Sequence, residues 1–256
     1  MHAKWFVDLT RRPDTSLDVF CFPFAGGSPA SFSPWLGALA PSVGLIGVQL
    51  PGRGLRFGEP MATVLDDVVG VLAQALIQRV DKPFMFFGHS NGALISFELA
   101  RRLVGLGAPS PRRLVLSAAR APHLLKGAVQ RHRYDDVEMI MELHRLGGTP
   151  AEVFDSREML AMILPVLRAD FALTETHPFP EPTPVPVPAT LLYGRRDPVV
   201  KPADVLAWQA WLEGRPEILE IDGDHFYLSD ARRLICDLFA AEVVGVPQPA
   251  AAVGAG

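Results

Sequence analysis

The sequence contains little cysteine, and this scarcity excludes two kinds of stabilising chemistry. Its 256 residues include 2 cysteines, Cys21 in a predicted buried strand and Cys236 in a predicted helix. Cysteines so placed provide neither a disulfide framework nor a metal cluster. They suit a reducing compartment, so we expect a cytoplasmic protein with no bound metal.

Excess positive charge and long apolar runs are also missing. The formal net charge is −4, so no global electrostatic attraction favours nucleic acid. No uninterrupted apolar run is long enough to span a bilayer. Charged residues near the start leave no signal-peptide core: Lys4, Asp8, Arg11, Arg12, Asp14 and Asp18. We therefore expect a protein that binds neither nucleic acid nor a membrane.

The sequence does contain enough apolar residues for a sizeable core. Apolar residues make up 49% of the chain and charged residues 20%, and the length is compatible with one α/β domain. No internal repeat and no linker divides the chain. We predict one domain over residues 1–246 and a disordered tail over 247–256, which is small and proline-containing.

Strand and helix signals alternate through the first half of the chain. Strands are predicted at 4–9, 17–22, 45–50, 84–87 and 113–117, and helices at 32–39, 62–80 and 92–104. This alternation is typical of a parallel sheet with helices on both faces. The sequence therefore predicts an α/β fold.

The alternation stops after the fifth strand. Residues about 120–177 carry no strand signal and are predicted as a helical insertion, with helices at 134–145 and 158–175 and a kink at Pro165. Proline at every second position of 178–188 favours an extended strap that returns to the sheet, with a proline-rich ligand for a partner domain as the alternative. The last predicted elements are strands at 189–193 and 217–221 and helices at 203–212 and 229–244.

The most informative motif is a G-x-S-x-G pattern between a strand and a helix. Gly88, Ser90 and Gly92 follow the apolar run 84–87 and open the helix at 92–104. This context is that of the nucleophile elbow of α/β-hydrolases, a strained turn that presents a serine at the end of the sheet. Glycine suits the flanking positions because side chains there would collide with the neighbouring strand and helix. Ser90 is therefore the candidate nucleophile.

A serine nucleophile needs a base, and the base needs an acid to orient it. In α/β-hydrolases the chain order is serine, acid, histidine, with acid and histidine each after a late strand. Asp197 and His225 occupy these places, with Asp222 and Asp224 as alternative acids. None of the other histidines follows a late strand: His2, His89, His123, His132, His144 and His177. We expect His89 to pack beneath the turn.

The oxyanion of such a reaction needs two backbone donors. One should be the N–H of Asn91, the residue after the nucleophile, and the other should come from the loop after the strand at 17–22. Residues 24–27 of that loop have little side-chain bulk, and we predict the N–H of Ala25 as the second donor. A simple turn or a phosphate cradle is the alternative, but the loop lacks the Lys and Ser/Thr of a P-loop and a complete G-x-G-x-x-G.

Several motifs together resemble the stand-alone (type II) thioesterases of modular polyketide synthases and nonribosomal peptide synthetases. They are Cys21–Ser28, Leu50–Gly54, Gly88–Ser90, Gly223–Phe226 and, in the insertion, Arg168–Phe171. The similarity covers essentially all of the chain before the tail. It implies an α/β-hydrolase fold whose helical insertion, about 120–177, is a mobile lid.

The resemblance also implies an activity and a partner. The family hydrolyses acyl groups from the phosphopantetheine arms of acyl carrier or peptidyl carrier proteins and so clears stalled or aberrant units. The partner would be a carrier-protein domain of a synthase, and no cofactor of its own is expected because the substrate carries the phosphopantetheine. An oxygen-ester hydrolase of small molecules and a non-catalytic binding protein on a hydrolase scaffold are the alternatives, since fold alone does not select a reaction.

One position departs from the family pattern. Relatives usually have methionine after the nucleophile, and this chain has Asn91. We expect Asn91 to lie near the acyl pocket and to tune the preferred acyl group. Apolar residues at helical spacing in the insertion predict a roof over that pocket which moves to admit the arm: Met139, Ile140, Leu143, Met159, Met162, Ile163 and Leu167.

Overall fold

A sheet of seven strands forms the centre of the computed structural model, which describes residues 4–127 and 129–243. The strands are β1 (Phe6–Asp8), β2 (Leu17–Phe22), β3 (Val43–Val48), β4 (Phe84–His89), β5 (Leu114–Ser117), β6 (Ala189–Gly194) and β7 (Glu217–Ile221). Their order is β1-β3-β2-β4-β5-β6-β7, and all neighbours are parallel except the edge strand β1, which is antiparallel to β3. The predicted α/β fold with a mostly parallel sheet is confirmed.

Helices cover both faces of this sheet. They include α1 (Leu65–Ile77), α2 (Asn91–Gly105), α6 (Pro202–Leu206) and α7 (Arg232–Ala241). Successive side chains of β4 point to opposite faces, so Phe86 joins a core with α1 and α2 whereas Phe87 joins a second core with α7. Because both faces are covered, every residue of β4 is buried, and the strand sequence is continuously apolar up to Gly88.

Two predicted helices were wrong in type. The segment predicted as a helix at 32–39 is a 3-10 helix over Pro29–Trp35, which contains Pro34. Proline has no N–H to donate to the fourth residue before it, so a regular α-helix is disfavoured there. The helix predicted at 203–212 divides into α6 and a 3-10 helix over Ala207–Trp211.

Several predicted boundaries were also displaced. Strand β3 begins and ends two residues before the predicted 45–50, because Val43 pairs with Leu17 at the start of β2. Helix α1 is shorter than the predicted 62–80, since Val64 is still extended and caps its start. Pattern reasoning locates such elements well but fixes their ends poorly.

The insertion between β5 and β6 is helical. It contains α3 (Asp136–Leu146), α4 (Ala151–Phe154) and α5 (Arg157–Glu175), with short 3-10 segments over Pro122–Leu125 and Arg131–Arg133. Helix α5 continues through Pro165, and both Pro165 and Ala161 are exposed. Water can therefore bond the Ala161 carbonyl that the proline leaves without a helical donor.

The strap and the chain end complete the fold. Residues 178–188 form neither a helix nor a named strand and bend at Glu181, Pro186 and Val187, so the predicted extended strap is only partly regular; Val185 bridges to Leu212. The predicted tail at 247–256 lies outside the described residues, and the single domain over 1–246 stays a prediction. No helix within the described ranges combines the length and the apolar character that a membrane crossing requires.

Candidate active site

The turn between β4 and α2 holds Ser90 in a rare backbone conformation. Its φ is 54° and its ψ is −118°, and φ is positive at few other non-glycine residues of the described chain. The Ser90 N–H donates to the Ser117 carbonyl at 2.7 Å, which ties the turn to β5. A Cβ at Gly88 would collide with the backbone of Gly92, and one at Gly92 would collide with the Phe22 carbonyl. The two glycines thus permit the close approach that aims the serine away from the sheet.

The structure brings Ser90, His225 and Asp197 together in a chain of hydrogen bonds. His225 Nε2 lies 3.0 Å from Ser90 Oγ, and His225 Nδ1 lies 2.7 Å from Asp197 Oδ2. Asp197 is 2% exposed and His225 is 4% exposed, so the bonds are shielded from water. Ser90 follows the carboxyl end of β4, Asp197 follows that of β6, and His225 follows that of β7.

The Asp197 carboxylate is held in its ionised form. Burial raises its pKa, but the hydrogen bond and charge of His225 and the N–H groups of Val199 and Val200 outweigh burial, so the pKa is lowered. Those two N–H groups donate to Oδ1 at 2.7 and 3.1 Å. An ionised carboxylate can only accept, so His225 carries its proton on Nδ1 and turns the Nε2 lone pair toward Ser90.

The alternative acids face elsewhere. Asp222 is exposed and pairs with Arg196, and Asp224 Oδ1 accepts from the Phe226 N–H at 2.8 Å. Neither contacts the His225 ring among the described hydrogen bonds. The geometry therefore favours Asp197 over both, although its catalytic role stays a prediction.

A second buried chain of hydrogen bonds lies beneath the turn, where His89 was expected to pack. His89 is fully buried, and its Nε2 donates to the His225 carbonyl at 2.9 Å. Its Nδ1 lies 2.8 Å from Ser117 Oγ, which lies 2.6 Å from the Tyr227 hydroxyl. Burial, followed by the nearby His225, lowers the pKa of His89 to about 3, so the ring is neutral. His89 therefore supports the His225 backbone rather than exchanging protons at neutral pH.

The predicted backbone donors of Ala25 and Asn91 both border the space around Ser90. A cavity of about 260 Å³ is lined by Ala25, Ser90 and His225, and one of about 130 Å³ by Asn91, Ser90 and His225. Within the described chain, the N–H groups of Ala25 and Asn91 donate no hydrogen bond, so both remain free to bind an oxyanion.

Some residues of the predicted roof contribute to the walls of these cavities. Leu143, Ile163 and Leu167 border the larger one. Met159 and Met162 are instead 45% and 55% exposed on the first half of α5, away from the buried second half. The apolar face of the insertion is thus divided between a cavity wall and the outer surface.

Sequence reasoning missed an ion pair beside the Ala25 loop. Arg53, in the loop after β3, donates to Asp170 of α5 through two bonds of 2.5 Å each. Asp170 also accepts from the Gly26 N–H at 2.7 Å. Arg53 and Asp170 are too far apart in the sequence to form a local motif. Asp170 does, however, share a helix face with Ile163, Leu167 and Thr174. A carboxylate in an apolar stripe signals a buried partner.

Asn91 differs in part from its expected role. It does border the smaller cavity. Its side chain, however, is bound at both ends to α5: Nδ2 donates to the Asp170 carbonyl at 2.8 Å, and Oδ1 accepts from Thr174 Oγ1 at 2.5 Å. Asn91 is therefore a tie between the serine turn and the insertion as well as a cavity residue.

Comparison with known proteins adds family information to this geometry. Residues 18–242 match the model of the Thioesterase domain family. A relative from Brevibacillus parabrevis, linear gramicidin dehydrogenase LgrE, is 37% identical over 229 residues, 88% of this chain and 87% of the relative. The name of this relative describes a dehydrogenase, whereas the family model that matches this chain is that of a thioesterase domain.

Two solved structures are also similar. The type II thioesterase BorB from the borrelidin biosynthetic cluster has a TM-score of 0.84 at 34% identity and covers 93% of this chain and 97% of its own. The type II thioesterase YbtT from the yersiniabactin NRPS/PKS pathway has a TM-score of 0.81 at 35% identity, with coverage of 95% and 98%. At these scores and coverages, the chain shares its overall fold with both structures over nearly its whole length.

Proposed function

This chain belongs to the thioesterase domain family, and from that premise we propose that it hydrolyses acyl thioesters on the phosphopantetheine arms of carrier proteins. The reaction would proceed through an acyl-serine intermediate and would clear stalled or aberrant units from a polyketide or nonribosomal peptide assembly line. The observation that carries the proposal is the hydrogen-bonded chain from Ser90 through His225 to Asp197. The type II thioesterases of such pathways among its structural relatives support the choice of substrate.

In the first step Ser90 attacks the thioester carbonyl. His225 Nε2 takes the hydroxyl proton as the Oγ–C bond forms, and Asp197 stabilises the resulting imidazolium. The N–H groups of Ala25 and Asn91 bind the oxyanion. When the C–S bond breaks, the thiol leaves with the proton from His225. A thiol with a pKa of about 8.5 leaves more readily than an alkoxide, so this step needs little acid assistance.

In the second step water takes the place of the thiol. His225 removes a proton from water, the hydroxide adds to the acyl-serine carbonyl, and the same two N–H groups bind the oxyanion. Collapse breaks the Oγ–C bond, returns the proton to Ser90 and releases the carboxylic acid. Both steps use one base and one oxyanion site, as serine hydrolases generally do.

The partner is proposed to be an acyl carrier or peptidyl carrier protein domain, with both proteins in the cytoplasm. Two buried free cysteines suit that reducing compartment. Two cavities that share Ser90 and His225 in their lining support the presence of room near the nucleophile for an acyl group and the pantetheine arm.

The test compares kcat/KM for three donors with the same acyl group: the carrier-protein thioester, the free pantetheine thioester and an oxygen ester. We expect the carrier thioester to be the best substrate, because remote binding energy lowers the barrier. If the oxygen ester is hydrolysed faster than both thioesters, the protein is an oxygen-ester hydrolase. If none is hydrolysed, it is not an enzyme of this class.

A further inference from the structure

We propose that Asp170 on helix α5 is a positioning residue for the oxyanion site, acting through the loop that presents the Ala25 N–H. This inference rests on the proposed acyl-transfer function. It identifies the insertion as part of the catalytic apparatus rather than only as a cover. The first support is the way the loop around Ala25 is held.

The two N–H groups that follow Ala25 in this loop both donate hydrogen bonds. Gly27 N–H donates to the Phe24 carbonyl at 2.9 Å, which closes a turn around Ala25. Gly26 N–H donates to Asp170 Oδ2 at 2.7 Å. Gly26 has a φ of 79°, so the next peptide takes an orientation that most residues would resist. The bond from Gly26 to Asp170 therefore fixes the peptide that directly follows Ala25.

The Asp170 carboxylate is itself fixed from the other side. Arg53 binds both of its oxygens, and Arg53 Nη1 also donates to the Gly27 carbonyl at 3.3 Å. Asp170 is 1% exposed and Arg53 is 9% exposed. A bidentate pair of this kind has a defined geometry, and the planar guanidinium sets the carboxylate plane. One ion pair thus contacts the loop at both Gly26 and Gly27.

The same turn of α5 also contacts the second predicted donor. The Asp170 carbonyl accepts from Asn91 Nδ2, and Thr174 Oγ1 donates to Asn91 Oδ1. Asn91 follows β4 and Ala25 follows β2, yet Asn91 and Gly26, the residue after Ala25, both form hydrogen bonds with this helix turn. The serine turn already places the Asn91 N–H through its bond to β5, so α5 acts mainly on the Ala25 side of the oxyanion site, and oxyanion stabilisation depends on the spacing between the two donors.

Charge chemistry explains why an arginine accompanies the aspartate. A lone carboxylate close to a developing oxyanion would repel it, whereas the Arg53 pair neutralises that charge. A buried ion pair is a costly way to hold a loop, because both ions lose hydration. An apolar side chain could fill the same space but could not accept the Gly26 N–H.

Three variants of the full chain test the proposal. Asp170→Leu keeps the branched shape but cannot accept from the Gly26 N–H, and it leaves the Arg53 charge buried. Arg53→Met combined with Asp170→Leu removes both charges and should recover part of the lost thermal stability. Asp136→Asn is the control, because Asp136 of α3 forms an exposed ion pair with Arg168 of α5, the helix that carries Asp170. Each variant is assayed for Tm, kcat and KM, and for the Kd of an alkyl boronic acid that forms a tetrahedral adduct on serine.

We expect at least a tenfold loss of kcat in both Asp170 variants, with KM changed less than threefold. One misplaced donor costs roughly 10²-fold or more in serine hydrolases. The boronate Kd should weaken by a similar factor, and the double variant should regain Tm without regaining kcat. Asp136→Asn should retain kcat within twofold.

Four results would overturn the proposal. They are wild-type kcat in either Asp170 variant, recovery of kcat together with Tm in the double variant, an equal loss in Asp136→Asn, and unchanged boronate affinity. The assays use carrier thioesters and oxygen esters alike, so a failure of the proposed substrate does not obscure the outcome. A wild-type protein that neither turns over nor binds the boronate would overturn both proposals.

Discussion

The two parts of the site are held in different ways. Ser90, Asp197 and His225 each follow closely on the end of a sheet strand, so the parallel sheet sets their positions. Asp170 belongs to the insertion, and side-chain bonds to Arg53, Gly26 and Asn91 connect it to the sheet. The sheet therefore places the proposed nucleophile and base, whereas the insertion contacts the loop that we propose binds the oxyanion.

The largest effect on activity is expected when the carboxylate of Asp197, which follows a strand of the sheet, is removed. Asp197→Asn should lower kcat about 10⁴-fold, because the amide no longer holds His225 in the required tautomer. The matched control is Asp222→Asn, whose exposed carboxylate pairs with Arg196 and lies away from the ring. Steady-state kinetics on one thioester measure both. If Asp222→Asn is the damaging change, the acid has been misassigned.

A smaller effect is expected from the tie between the two parts. Asn91→Met removes the hydrogen bonds to Asp170 and Thr174, and it should lower the free energy of unfolding by about 1–3 kcal/mol. Because Asn91 also borders a cavity, the variant should favour longer or more apolar acyl thioesters and only modestly slow acetyl or propionyl substrates. Denaturant titration and a chain-length series measure the two effects.

Thr174→Val separates these roles of Asn91. Valine has nearly the shape of threonine but cannot donate to Asn91 Oδ1. It should reduce stability by about 1 kcal/mol and leave the chain-length ranking unchanged. A ranking that shifts in Thr174→Val as in Asn91→Met would mean that the tie, and not the cavity wall, sets acyl preference. If Asn91→Met shows the same dependence of rate on acyl chain length as the wild type, Asn91 does not influence acyl preference as a cavity residue.

A further effect concerns how the stability of the sheet-held part depends on pH. His89 has a folded pKa of about 3, lowered chiefly by burial, against about 6.5 in an unfolded chain. Below pH 6.5 the unfolded state takes up a proton that the folded state does not, so stability falls with pH until the folded pKa is reached. Between pH 8 and pH 5 this difference in proton binding should lower the free energy of unfolding by about 2 kcal/mol.

The variant His89→Gln should remove that cost. Its free energy of unfolding should fall less steeply between pH 8 and pH 5 than that of the wild type, by about the same 2 kcal/mol. The control is His144→Gln, because His144 is exposed on α3. Denaturant titrations at each pH measure the slopes. Equal slopes in all three proteins would show that His89 titrates in the folded state as it does in water.

The same comparison explains what the sequence could predict. The strand ends and the G-x-S-x-G turn are local signals, and together they located Ser90, Asp197 and His225 in the places where the structure brings them into contact. The pairing of Arg53 with Asp170 depends on how the insertion folds back over the loops, which no local pattern contains. The helix predicted at 32–39 is instead a 3-10 helix over Pro29–Trp35, because Pro34 cannot donate the N–H bond of a regular α-helix.

The insertion shows a further limit of pattern reasoning. The spacing of its apolar residues predicted a roof that moves. That spacing cannot show which part of a helix is hydrogen-bonded to the rest of the protein. The second half of α5 is buried and bonded at Asp170 and Thr174, whereas its first half is exposed. A motion that admits the pantetheine arm is therefore expected outside that half of α5.

The most direct measurement is the capture of the acyl-enzyme. A thiol is a better leaving group than the Ser90 alkoxide, so acylation by a thioester should outpace deacylation and the intermediate should accumulate. The full chain is mixed with an acyl-pantetheine thioester, quenched in acid within milliseconds and digested for mass spectrometry. We predict the acyl mass on the peptide that contains Ser90, and none on Ser90→Ala. An acyl group on another residue, or thiol release by Ser90→Ala at the wild-type rate, would contradict the mechanism.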